Sequence, residues 1–165
     1  MSFSFPDWYE GGADDMEFVV KCLLEKYLDG VSVDVDGVQR TPEVKAWLGE
    51  GWRNKLPLIC IARVPGGIDE DARFDTGVVQ VWVICESRAD SWELATFVNE
   101  VLRAHDRRGA MVDVGTYRAD VRHIKRTAGP ELTMDEDALN ERVIPMAYEI
   151  RMKRRVSLPN YDDIL

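Results

Sequence analysis

The densest group of side chains that could bind a cation lies between two apolar segments of the chain. Asp69, Glu70, Asp71 and Asp75 fall close together, with Arg73 among them. Their spacing differs from the calcium-binding loop, in which three carboxylates alternate ahead of a glycine and a distal glutamate. Three interpretations stay open: a solvated loop tip, a contact or channel-lining surface, and a specific cation site.

The two histidines are the side chains best suited to proton transfer near neutral pH. His105 lies on the apolar stripe of a predicted helix, near its carboxyl end, where the helix dipole favours a cation. A structural role is therefore expected for it. His123 lies in a predicted strand next to Arg122, and no serine or cysteine motif provides a nucleophile for it. The sequence therefore predicts no catalytic residue and no enzyme.

Three cysteines, Cys22, Cys60 and Cys85, are far apart and each lies in an apolar run. No Cys-x-x-Cys pair and no Cys/His spacing typical of zinc is present. We expect buried free thiols in a reducing compartment, with no metal site and no cofactor.

Basic side chains gather on the last two predicted strands. If these strands are neighbours, one face or edge of a sheet is basic, and acids must intervene to relieve repulsion between facing charges. Three interpretations stay open: a solvated edge protected against sticking, a surface for an acidic partner, and nucleic-acid binding. The net charge of −9 opposes the third, because affinity for DNA comes from neutralising phosphates. The candidate basic surface consists of Arg122, Lys125, Arg126, Arg151, Lys153, Arg154 and Arg155, with Arg118 nearby.

The elements that must position these groups follow from hydrophobic periodicity. Two segments have the helical period, residues 13–28, capped by Asp14, and residues 87–108, capped by Ser87 or Asp90. A third, shorter helix is predicted from Thr41 to about Leu48, and Trp47 and Trp52 are expected to cover one edge of the core. Strands are predicted over residues 31–35, 56–64, 77–86, 112–126 and 142–155, with a turn at 36–37. An interruption of the strand over residues 112–126 stays open.

This order of elements predicts an α+β fold with a mostly antiparallel, mixed sheet of about four to six strands. Two long helices pack on one face of the sheet, and the other face is covered or open to a partner. The 165 residues form one domain over residues 13–155. An aromatic N-terminal arm, residues 1–12, and a C-terminal tail, residues 156–165, flank it. No segment has the roughly 18 apolar residues of a membrane helix and no secretory leader is seen, so no membrane is expected.

Three stretches carry a resemblance to a known family. They are "DDMEFVVKCLLEKYLDGVSVDV", then "LPLICIARVPGGIDEDARFDTGVVQVWVICESRADSWELATFVNEVLRA", and Gly129-Pro130 followed by "AYEIRMKRR". In this order of motifs, residues 13–155 resemble the tail terminator proteins of long-tailed bacteriophages, also called tail-completion or minor tail proteins.

The resemblance implies a structural virion protein at the head-proximal end of the tail, present in the host cytoplasm before assembly. Its partners would be copies of itself in a six-membered ring, the tail tube protein and the head–tail connector protein. Such a ring stops tube growth and provides the surface that joins the head, and DNA passes through it without specific binding. The acidic loop would then line the lumen or an interface. The alternatives are another head–tail connector or neck component and a small cytosolic binding domain.

Overall fold

A computed structural model of the chain describes residues 4, 14–64, 73–115, 117–130 and 142–154. The predicted arm and tail, apart from Ser4 in the arm, lie outside these residues. The described part contains two α-helices, α1 (Met16–Leu28) and α2 (Arg88–Ala104), a 3-10 turn (Trp52–Lys55) and eight strands. The strands are β1 (Val33–Val35), β2 (Val38–Arg40), β3 (Glu43–Lys45), β4 (Leu58–Val64), β5 (Phe74–Ile84), β6 (Ala110–Asp113), β7 (Arg118–Ala128) and β8 (Val143–Lys153).

Six of these strands form the main sheet, in the order β3-β4-β5-β8-β7-β6. The β3–β4 pair is parallel and the other pairs are antiparallel. The small hairpin β1–β2 lies apart from it and turns at Asp36 and Gly37, both with positive φ, as predicted for an Asp-Gly turn. The α+β class and the mostly antiparallel sheet are confirmed.

Both helices pack on one face of the sheet and share a single core with it. In β8 the side chains alternate, so that Tyr148 and Ile150 are fully buried while Glu149 between them is only partly buried. The same period-2 pattern in β5 places Val79 and Val81 in this core. The strand length of 11 residues in β5, β7 and β8 makes these three strands the centre of the domain.

Capping side chains define where the helices begin. Asp15 accepts hydrogen bonds from the backbone N–H groups of Glu17 and Phe18, at 3.0 and 3.2 Å, so α1 is capped by Asp15 rather than by the predicted Asp14. Ser87 caps α2 as predicted, by accepting from the N–H of Asp90 at 3.1 Å.

A buried serine joins α2 to the sheet. Ser91 Oγ accepts from the N–H of Cys85 at 2.9 Å and lies 2.6 Å from the carbonyl oxygen of Arg142 and 3.0 Å from that of Ser87. Its side chain is completely buried. One hydroxyl thereby contacts both the residue that follows β5 and the residue that precedes β8, and it gives the buried N–H of Cys85 a partner.

The predicted helix from Thr41 to Leu48 is wrong. Residues 43–45 instead form β3, which pairs in parallel with β4 and buries Val44 between the exposed Glu43 and the half-buried Lys45. The Thr-Pro-Glu sequence has the composition of a helix start, but a three-residue alternation beside an apolar strand favours pairing. The strand predicted over residues 112–126, with an interruption left open, is divided into β6 and β7, and Gly115 between them has a φ of 91°.

We predict that Ser91→Ala lowers the free energy of unfolding by about 1–3 kcal/mol, because a buried N–H and a partly buried carbonyl lose their partner. Urea denaturation followed by circular dichroism measures the change. The control is Thr96→Ala on the same helix, whose hydroxyl donates to the carbonyl of Trp92 at 2.9 Å on an exposed surface. It should change stability by less than about 0.5 kcal/mol. Equal losses in the two variants would contradict the assigned role of Ser91.

Candidate functional surface

The acidic loop is described only at its carboxyl-terminal side. Asp69, Glu70 and Asp71 lie outside the described residues. Arg73 is exposed, and its carbonyl accepts from the N–H of Arg154 at 2.9 Å.

Asp75, predicted as part of that loop, lies in β5 instead. Its two carboxylate oxygens accept from the guanidinium of Arg63 on β4, at 2.8 and 3.0 Å. Gly77 leaves room for this guanidinium, because a Cβ there would lie 2.9 Å from Arg63 Nε. The N–H of Arg63 donates to Glu17 Oε1 on α1 at 2.6 Å. Arg63 therefore ties α1, β4 and β5 together at the base of the loop.

The predicted basic surface is divided between the two faces of the sheet. Arg126 pairs in register with the buried Tyr148 and lies on the helix side, where its Nη1 is 3.3 Å from Asn99 Oδ1. Tyr148 donates to the same amide oxygen at 3.1 Å, and burial raises the pKa of its hydroxyl well above the ordinary value. Arg126 thus serves the contact between α2 and the sheet.

On the other face, acidic side chains lie opposite basic ones, which avoids repulsion between like charges on neighbouring strands. Lys125 is opposite Glu149, and Lys153 is opposite Asp120, in the β7–β8 register. Asp120 also pairs with Arg122 at 2.6 Å. This part of the surface is a mixed charge pattern, and β7 and β8 are neighbours as the sequence analysis assumed.

The remaining members of the basic set lie near the end of β8. Arg151 stacks over the ring of Phe74, with 4.2 Å between guanidinium carbon and ring centroid. Arg154 holds the residue that precedes β5 through the backbone bond to Arg73. Arg155 lies outside the described residues.

The histidines and cysteines make contacts within the fold. His105 Nε2 lies 3.0 Å from the Tyr27 hydroxyl, and its Nδ1 lies 3.2 Å from the carbonyl oxygen of Gly109. These contacts join the end of α2 to α1. The three cysteines are free thiols, and burial raises the pKa of Cys85 to about 11. No group of three or more His, Cys, Asp or Glu side chains in the described ranges is placed to hold a metal ion.

An apolar groove on the sheet face opposite the helices is the feature that the sequence analysis did not locate. We call it the open-face groove. Its volume is about 410 Å³ and its surface is almost entirely apolar. Trp47 lies beside the groove with 80% of its surface exposed, so the prediction that it covers an edge of the core is wrong. Trp52 packs on a small apolar cluster around Leu58. The lining residues are Ala46, Trp47, Leu48, Trp52, Cys60, Ala62, Trp82, Ile84 and Val143.

The sequence did contain a signal for this groove. Residues 58–62 and 81–85 are apolar without alternation, a pattern typical of strands that are covered on both faces. The two helices cover only one face, which contains Ile59, Ile61, Val81 and Val83. The residues between them in sequence, such as Cys60 and Trp82, must face the other side.

The two ends of the sheet have unpaired strand edges in the described part of the chain. β6 is the last strand at one end and has Met111 on it, 52% exposed. At the other end, β3 pairs with only the first three residues of β4, so residues 61–64 extend beyond it. Glu17 occupies one backbone donor of that edge, the N–H of Arg63.

Comparison with known families identifies the chain. The family described as phage tail termination protein matches residues 12–159, which include every strand and helix described above. The chain belongs to this phage tail termination family. Its role is therefore structural and in the phage tail, its location is the virion, and it interacts with other tail components. Membership of a structural family indicates a non-enzymatic role.

Two further findings accompany this assignment. No curated protein matches the chain. In the described ranges, no helix is long and apolar enough to cross a membrane.

We predict that Asp75→Ala lowers the free energy of unfolding by about 1 kcal/mol, because a bidentate pair at a partly exposed site is lost. The loss should shrink at high salt, which screens the pair. The matched control is Glu25→Gln, which removes an exposed pair with Lys21 at 3.7 Å and should cost less than about 0.5 kcal/mol. Thermal and urea unfolding measure both. An unchanged stability in Asp75→Ala would show that Arg63 does not anchor the loop base through Asp75.

Proposed function

We propose that this member of the tail termination family forms a ring on the end of the finished tail tube. The ring stops elongation of the tube and provides the surface that joins the head–tail connector. The observation that carries this proposal is the family match over residues 12–159, nearly the whole chain. The protein works by contact alone, without catalysis or a cofactor. It would act at the head-proximal end of the tail and be present in the host cytoplasm before assembly.

The arrangement of the sheet supports a ring of identical copies. A ring requires a heterologous interface, in which one surface of each copy meets a different surface of the next. The main sheet ends in two different edges, β6 on one side and residues 61–64 on the other. Strand edges of this kind are the surfaces through which chains add to one another. Six copies is the number that the family resemblance implies.

The acidic loop supports a role in the lumen of such a ring. Asp69, Glu70 and Asp71 are consecutive acids between β4 and β5, and the Arg63–Asp75 pair fixes the strands on either side. Negative charge facing DNA would repel phosphates and reduce sticking during passage. The basic and mixed-charge residues of β7 and β8 would then face an acidic partner such as the connector.

Capping of the tube can be tested with purified components. We expect that the chain, added at low molar ratio to assembling tail tube protein, shortens the tubes and appears as a ring at one end in electron micrographs. The control is Ile150→Asp, which places a charge at a fully buried core position and should abolish capping. Tubes of unchanged length without end density would overturn the capping role. Binding to connector particles alone would assign the chain to the neck.

The lumen assignment of the acidic loop predicts a defect in DNA passage. Phage with Asp69→Asn, Glu70→Gln and Asp71→Asn should form complete particles but eject DNA more slowly, because repulsion from the lumen wall is lost. Fluorescent-dye measurement of ejection rates checks this. The control neutralises the other acidic run, Asp135-Glu136-Asp137, and should leave ejection unchanged. Particles that fail to assemble would make the loop an interface instead, and normal ejection would leave it a solvated tip.

A further inference from the structure

The open-face groove is an apolar surface without a covering element among the described residues. The two α-helices lie on the opposite face, and the 3-10 turn covers only one end of the groove through Trp52. Cys60 and Ile84, in neighbouring strands, form its floor, while Trp82 and Ala62 lie beside them. An apolar surface of this shape is typical of a site for aromatic or aliphatic side chains.

We propose that the groove binds the chain's own N-terminal arm, residues 1–12. The arm carries four aromatic residues in nine positions, Phe3, Phe5, Trp8 and Tyr9. Each aromatic side chain removes about 150–250 Å² of surface from water when buried. Binding of this segment to an apolar surface is therefore favourable. In an extended segment Phe3 and Phe5 share one side, and Ser4 between them is exposed.

The place where the arm enters the domain fits this groove. The arm leads into α1, and Glu17 in the first turn of α1 bonds to the N–H of Arg63 on β4. Ala62 and Cys60, one and three residues before Arg63 on the same strand, line the groove. β3 ends opposite Cys60, so the chain can pass from the helix side to the open face around the unpaired part of β4.

The length of the arm is sufficient for this path. Thirteen residues ahead of Asp14 reach about 40 Å when extended. The seven residues of β4 span about 23 Å, which leaves enough chain to go around the edge of the sheet. The path needs a turn shortly before Asp14, and the sequence has Gly11 and Gly12 there, whose lack of a side chain permits one.

Charge also favours this arm. It contains Asp7 and Glu10 and no basic side chain. The groove has a cation at its rim, since the guanidinium carbon of Arg53 lies 4.9 Å from the ring centroid of Trp52, a lining residue. The acids flank Trp8 and Tyr9 and would meet this rim when those rings enter the groove.

The C-terminal tail fits this site less well than the arm. It leaves the sheet after Lys153, and the groove lies level with residues 143–147 of the same strand. The tail would have to run about 20–33 Å back along β8 to lie in the groove. Val156 and Leu158 come too early for that distance, whereas Tyr161, Ile164 and Leu165 lie far enough along the tail. The tail therefore offers one aromatic side chain to the groove, against four in the arm.

Fluorine NMR of the full chain labelled with fluorotryptophan tests this contact. The five tryptophans include three in the groove, Trp47, Trp52 and Trp82, and Trp92 on the exposed side of α2 as an internal control. In a Phe3→Ser/Phe5→Ser variant we expect the groove resonances, above all that of Trp82, to shift while that of Trp92 stays. Ser4→Ala is the matched control and should shift none of the four.

Other outcomes would overturn the contact. Unchanged groove resonances would show that the arm binds elsewhere. Shifts that disappear on dilution would assign the groove to the arm or surface of a second copy. The first result, measured on the dilute chain, does not depend on whether the chain forms a ring.

Thiol alkylation provides a second measurement that does not rely on NMR. Cys60 lines the groove and is 6% exposed, whereas Cys85 is buried under α2 at 1%. We expect the Phe3→Ser/Phe5→Ser variant to raise the alkylation rate of Cys60 several-fold and to leave that of Cys85 unchanged. Equal increases at both cysteines would mean a general loosening of the fold and would overturn the groove contact.

Discussion

The structure depends on a mismatch between its central strands and its helices. β4 and β5 are apolar on both faces, but α1 and α2 cover only one. The covered face becomes the core. The other face has an apolar groove beside Trp82, and contact of this apolar surface with water is unfavourable. A chain that buried both faces within itself would need another layer, and a chain that assembles with others can use the second face or its edges for contact.

The parts of the fold with long periodic patterns could be predicted from the sequence. The alternation in β8, the apolar stripe of α1 and the Ser87 cap of α2 are local signals that agree with the tertiary structure. The error at residues 43–45 arose where the local signal was short. There, pairing with β4 decided the conformation, and the residues around Val44 do not indicate in the sequence that β4 is their partner strand.

The functional surface was harder to predict because it depends on register. Arg126 and Lys125 are adjacent in sequence, yet one reaches Asn99 under α2 and the other lies opposite Glu149 on the open side. Asp75 resembles its acidic neighbours in sequence, but its pairing with Arg63 makes it part of the sheet. The sign of each charge could be read from the sequence. The face of the sheet on which each charged side chain lies could be assigned only from the strand pairing.

Electron microscopy of lysates from a phage that lacks this gene tests most directly the claim that the chain ends tail growth. We expect tail tubes of unregulated length without heads, beside heads filled with DNA. Restoring the wild-type chain should return both tail length and joining. Tails of normal length that fail to join heads, or complete infectious particles, would contradict the claim.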